Sequence, residues 1–214
     1  MDFWVALKKT FRVYRVRIFG DTVQLSDRLI IWKTLVLFTD EMLIPKLEIC
    51  LTNDTRHLGK TWDGRQAVGH HCLRTCKYRL CALLKGICRA TIVHEATHAY
   101  HSFLDASGSS FSQKWLKVAG NVYNKDATAP NKDGILDAYA RLHHEEDIAR
   151  WVEYCYLYLY EEKKTDHFSG LQDRKSDPRY RQKLALLHQY KFLSDEQYVQ
   201  FKPLFDPAPF QENK

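Results

Sequence analysis

The chain has 214 residues, 45% hydrophobic and 13% aromatic, with a formal net charge of +6. Such a composition builds a substantial core and excludes wholesale disorder; one domain is expected over residues 1–162, with 163–214 as a helical hairpin and tail packed on it. The longest apolar stretch, Leu29 to Phe38, is broken by Lys33 and too short for a membrane span, the first residues lack a secretory pattern, and the basic residues are scattered, so a cytoplasmic protein without membrane or nucleic-acid partners is expected.

In chain order, Arg12 to Phe19 alternates apolar and basic residues, the pattern of a strand with one wet face. Ser26-Asp27 is placed to cap a helix from about Arg28 to Asp40, whose nearly all-apolar sequence predicts burial. Pro45 begins a second strand, with Leu47, Ile49 and Leu51 on one side, that ends at Thr52-Asn53-Asp54. Leu58 to Trp62, before Asp63-Gly64, reads as a third strand and turn. Cys72 to Cys81, with Cys76, Tyr78 and Leu80 on one side, reads as the last strand. At a sheet edge it would either take up an extended peptide or stand blunted by Arg74, Lys77 and Arg79.

The helix that follows, Ala90 to Leu104, carries His94-Glu95-Ala-Thr-His98. Four residues is one helical turn, so the two imidazoles stack on one face and reach a single ion. Two imidazoles with a position left open favour zinc, one Zn2+ ion here. Glu95 lands beside the ion, where it can accept a proton from an attacking water and pass it to a leaving amine. Chance accounts poorly for three residue types at fixed positions in an apolar segment, although the chain has ten histidines. His101, seven residues after His94, also lies near this face and is expected in the wall of a cleft.

Asp105 to Ser110 breaks this helix, and Phe111 to Tyr123 forms another, with Phe111, Trp115, Val118 and Val122 as a core stripe. Asn124 to Gly134 is a loop, and Ile135 to Tyr160 reads as one long aromatic-rich helix. Lys163 to Pro178 is polar and loop-like, ahead of a helical hairpin over 178–190 and 195–204. The six cysteines are irregularly spaced and are expected as free thiols; His70-His71-Cys72, Cys76 and Cys81 lack paired Cys-x2-Cys knuckles for a second metal site.

A third ligand must come from further along. His101 and Leu104 stand where a metzincin has Gly and its third His, and no acid lies between Ala106 and Lys125 where a thermolysin-like enzyme has its Glu. The next source is Asp137 to Ala149. On a continuous helix, Tyr139 and Glu146 fall within about 20° of one line, so a carboxylate ligand and a phenol able to donate to an oxyanion would share a face. Glu145 points about 100° away and is the lesser candidate. Tyr139 reads equally as a core tyrosine. Asp147 would either orient a ligand histidine through its second ring nitrogen or sit at the surface as a cap or ion pair. His143 and His144 are alternative ligands; His143, one turn before Glu146, would otherwise touch substrate or stand partly exposed.

His94-Glu-x-x-His98 followed by Tyr139-Ala-x5-Glu146-Asp-x-Ala149 resembles the gluzincin metallopeptidases of the anthrax lethal-factor, Pro-Pro endopeptidase and minigluzincin type. The resemblance covers roughly residues 91–153. The predicted order strand-helix-strand-strand-strand-helix is an α+β arrangement, and the resemblance makes it zincin-like, a small mixed N-terminal sheet with an active-site helix followed by a mainly helical half. It further implies a zinc endopeptidase acting on peptides or proteins, with His94, His98 and Glu146 as ligands, Glu95 as general base and acid, and Tyr139 as oxyanion donor. His143 stands where these sequences often have Asn, and Arg150 where an acid is usual.

An SprT-like protease, acting on proteins bound to DNA, is a rival, but Ser109, Ser110 and Gln113 occupy the region of its third His. A second rival is a zinc-stabilised binding module, its shell closed by His143 or Cys155; a purely structural site has no need of Glu95. A third reading has the tail from Phe201 to Phe210 lying across the cleft as a latency device.

Overall fold

Alternation of Leu47, Ile49 and Leu51 with Glu48 and Cys50 produces a strand with its leucines and isoleucine buried and the intervening pair half-buried. The computed structural model describes residues 13, 16–21, 23–43, 47–54, 56, 58, 60, 67, 69–75, 78–84, 89–123, 132–160, 168, 170–171 and 173–206, with strand residues 70–75 and 78–84 described by backbone alone. Among these residues the chain combines a four-stranded mixed sheet with six helices, an α+β composition whose second half is helical. No helix among them is long and apolar enough to cross a membrane. Contacts divide the chain into two compact units, Met1–Gly108 and Ser109–Lys214, so residue 162 falls inside the second.

In the first unit the strands are β1 (Arg17–Gly20), β2 (Leu47–Thr52), β3 (Gly69–Thr75) and β4 (Tyr78–Leu84), in the order β1-β2-β4-β3. β1 and β4 run parallel to β2, with Ile18 and Cys81 both level with Ile49, and β3 is antiparallel to β4. Helix α1 (Leu25–Leu35) makes the crossover that the parallel pair β1 and β2 requires. Helix α2 (Arg89–Ala106) packs on α1, β3 and β4, burying Ile92, Val93, Ala96, Ala99 and Tyr100.

The first strand is only Arg17–Gly20; Arg12, Tyr14 and Arg15 lie outside the described residues. Asp27 is not the cap of α1 but stands inside its first turn, accepting a hydrogen bond from the Gln24 N–H at 2.9 Å. The helix is also shorter and less buried than its composition predicts: Ile31, Thr34 and Leu35 are inside, while Leu25 is 68% exposed. The stretch Cys72 to Cys81 is not one strand. It divides between β3 and β4 of a hairpin, leaving β3 at the edge of the sheet and β4 inside it. Period-two patterning cannot reveal a turn inside an alternating run, because the pattern continues through both arms. Thr61 to Gly64, most of the expected third strand and turn, and the pair Cys76-Lys77 lie outside the described residues.

The second unit contains α3 (Phe111–Ala119), α4 (His144–Tyr160), α5 (Pro178–Gln189) and α6 (Asp195–Phe205), with α3 packed on α4 and α5, and α5 on α6. Its core is aromatic, with Phe111, Trp115, Trp151, Tyr156, Phe168, Tyr180, Phe201 and Phe205 fully buried. Gly120 ends α3: at φ +65 it takes the left-handed conformation that any side chain would resist, and its N–H reaches the Leu116 carbonyl at 2.9 Å. The expected extension to Tyr123 therefore fails. The closing hairpin forms as expected. Asp177 caps α5 by accepting from the Arg179 N–H at 2.9 Å, and Ser194 with Gln197 makes a reciprocal cap on α6.

The long helix expected from Ile135 to Tyr160 does not exist. Only His144–Tyr160 is helical, and residues 137–142 form turns. The cause is Asp137, whose Oδ1 accepts the Ala140 N–H at 2.8 Å, a local side-chain bond that replaces the helical one. A further turn bond joins the Leu142 N–H to the Tyr139 carbonyl at 3.1 Å.

Candidate metal centre

Of the first unit's candidates, His94, Glu95, His98 and His101 all lie on α2. The Nε2 atoms of His94 and His98 are 3.1 Å apart, with the rings nearly perpendicular at 80°. Two nitrogens bound to one zinc at ~2.05 Å and a tetrahedral angle lie ~3.3 Å from each other, so this pair fits a shared ion. Glu95 is 6% exposed. Its carboxylate lies against Gly69 at the start of β3: a Cβ built on Gly69 would meet Glu95 Oε1 at 2.5 Å and Cγ at 2.7 Å. Only a residue without a side chain leaves that carboxylate its place. The signal in the sequence is the glycine itself, since a glycine inside a strand marks a close approach. His101 is buried, with Nε2 3.4 Å from Asp105 Oδ2 one turn on, which ties its ring to its own helix.

In the second unit Glu146 and Asp147 are buried in the first turn of α4, while Glu145 is exposed. Tyr139 is half-buried in the turn before α4 rather than on it, so its supposed place on one helical face with Glu146 is withdrawn. The same holds for His143, which precedes the helix; its carbonyl accepts the Asp147 N–H at 3.0 Å. His143, His144 and Glu145 place one candidate ligand atom each within 4.8 Å of one another, but their side chains border solvent, Glu145 at 51% exposure.

Asp147 is fully buried and ion-paired with Lys183, so it is not at the surface, and no histidine is among its hydrogen-bond partners in the described residues, so it does not orient a ligand histidine. Its Oδ2 accepts from Lys183 Nζ at 2.5 Å, the Tyr123 hydroxyl at 2.6 Å and Trp115 Nε1 at 2.9 Å, whereas Oδ1 has no hydrogen-bond partner among the described residues. Burial raises the Asp147 carboxyl and lowers the Lys183 amine, with their mutual attraction opposing both shifts. Lys183 also donates to the Gly134 carbonyl at 2.7 Å. No local pattern marks Lys183 as the partner of Asp147, 36 residues away.

A second network surrounds Asp137. Its Oδ2 accepts from Arg150 Nε at 2.7 Å and the Tyr154 hydroxyl at 3.0 Å, and Arg150 also reaches Glu153 Oε1 at 2.6 Å. Burial, then the charge of Asp137, pushes the Tyr154 phenol up to about 12. Scans against known protein families and searches of characterised proteins and solved structures return no match to this chain.

Proposed function

We propose that the chain is a zinc-dependent endopeptidase with a zincin-like, gluzincin-type site. The observation that carries this reading is the pair of imidazole nitrogens 3.1 Å apart on α2, with the buried carboxylate of Glu95 between them in sequence. His94, His98 and Glu146 are the proposed ligands, each offering one nitrogen or carboxylate oxygen. Bound there, zinc supplies Lewis acidity toward water and a carbonyl oxygen.

Glu95 performs the proton chemistry. Its carboxylate accepts a proton from the attacking water as the new C–O bond forms, then delivers it to the departing nitrogen as the C–N bond breaks. Burial beside Gly69 holds that carboxylate in one place. Tyr139 donates its hydroxyl hydrogen to the developing oxyanion, a contribution worth about 10²–10³ in rate where a single donor is removed. The substrate is a peptide or protein segment in extended form, for which the edge strand β3 offers a pairing partner.

The test is cleavage of a diverse peptide library by purified protein, with and without a zinc chelator, beside Glu95→Gln. Cuts that vanish in both arms, from a variant that still holds one zinc per chain, support the reading. Protein that carries zinc but cuts equally well with Gln at 95 removes Glu95 from the mechanism, and protein that carries no zinc removes the proposal.

A further inference from the structure

We infer that Arg150 is the positioning residue for Tyr139, acting through Asp137; this rests on the proposed endopeptidase reading for its catalytic consequence. Tyr139 does not stand on a helix, so something other than helical geometry must fix its place relative to Glu146. Glu146 and Arg150 are one turn apart on α4 and share a face. From that face the guanidinium reaches Asp137 Oδ2 through Nε at 2.7 Å and through a terminal nitrogen at 2.6 Å. The other oxygen of the same carboxylate accepts the Ala140 N–H at 2.8 Å and closes the turn that contains Tyr139. One carboxylate therefore joins the helix bearing Glu146 to the backbone on either side of Tyr139.

The guanidinium is itself held from the opposite side. Glu153 Oε1 takes its remaining terminal nitrogen at 2.6 Å, and the Tyr154 hydroxyl spans Arg150 at 3.2 Å and Asp137 at 3.0 Å. Arg150, Asp137 and Glu153 are 24%, 17% and 8% exposed, so water competes weakly for these bonds. A lysine cannot reproduce the arrangement, because one ammonium does not present two directed donors to Asp137 together with a third to Glu153. An acid at position 150, usual in the families that this stretch resembles, would repel Asp137 and release the turn. The Arg150 departure and the Asp137 turn form one device.

The test combines a double-mutant cycle with a label on Tyr139. Arg150→Lys and Asp137→Asn are each made alone and with Tyr139→Phe, and 3-fluorotyrosine is placed at position 139 of the full chain. Each single variant is expected to lower kcat by ~10–100-fold with KM and zinc content unchanged, the size of loss a displaced catalytic group produces. Added to Tyr139→Phe, neither change should lower kcat further, because the group it positions is already gone. The fluorine resonance, one sharp line in the unaltered protein, should broaden or shift in both variants. Additive losses, unchanged kcat, or loss of zinc in Arg150→Lys would overturn the inference, the last by showing that Arg150 serves Glu146 and its helix instead. If the unaltered protein cuts nothing, the endopeptidase reading falls, yet the fluorine line still decides the positioning: an unmoved line in both variants refutes it.

Discussion

At the scale of single residues, Gly69 and Glu95 are the pair that most constrains the proposed chemistry. Gly69→Ala would drive a methyl group to within 2.5 Å of Glu95 Oε1, and one of the two must move. Since a displacement of ~1 Å at a reacting group costs about 10²-fold in rate, kcat/KM should fall on that order while bound zinc stays constant. Full activity in Gly69→Ala would mean that Glu95 relaxes without loss and that its fixed position is immaterial. The placement of His94, Glu95 and His98 on one helix, with the two imidazoles adjacent, was legible because helical spacing alone sets it. The partner of Asp147 was not, because Lys183 reaches it only when α5 packs against α4's first turn.

At the scale of elements, patterns with a strong local cause formed where expected. The α5–α6 hairpin has its proline at the first helical turn, its Asp177 cap and its Ser194–Gln197 cap all written within a few residues of each helix start. Asp177→Ala should lower global stability by about 1 kcal/mol, read as a lower urea midpoint at unchanged slope. An unchanged midpoint would show that the bonds of Asp177 with Arg179 contribute nothing net. The failures share a different cause. The run from Ile135 to His143 has helical composition, but Asp137 takes the Ala140 N–H and is in turn taken by Arg150, thirteen residues on. The alternation from Cys72 to Cys81 is equally compatible with one strand or two arms of a hairpin, and only pairing distinguishes them.

At the scale of the whole molecule, a buried phenol in the first unit and a half-buried one in the second give the fold an alkaline limit. Tyr100 is pushed up to about 12, by burial and then by the charge of Glu41, and Tyr154 is pushed up to about 12 by burial and then Asp137. Against an unfolded value of about 10, the folded chain holds these protons more tightly. Their contribution is therefore fully present below about pH 10 and lost as pH rises through about 12. Urea midpoints taken at pH 8, 10 and 11.5 should decline only across the upper interval, and Tyr154→Phe should flatten part of that decline. An equal slope in Tyr154→Phe would sink the assignment to Tyr154.

The sequence by itself determined what depends on residue type at short range: the histidine pair on α2, the glutamate beside it, the alternating β2, and the capped hairpin of α5 and α6. Tertiary structure decided what depends on atoms far apart in the chain. It put Gly69 against Glu95, set β3 rather than the strand before α2 at the sheet edge, and closed the turn around Tyr139 through Arg150. The division follows from range: spacing along a helix or strand fixes directions within a few residues, whereas a hydrogen bond between distant segments is selected only by the packing that brings them together.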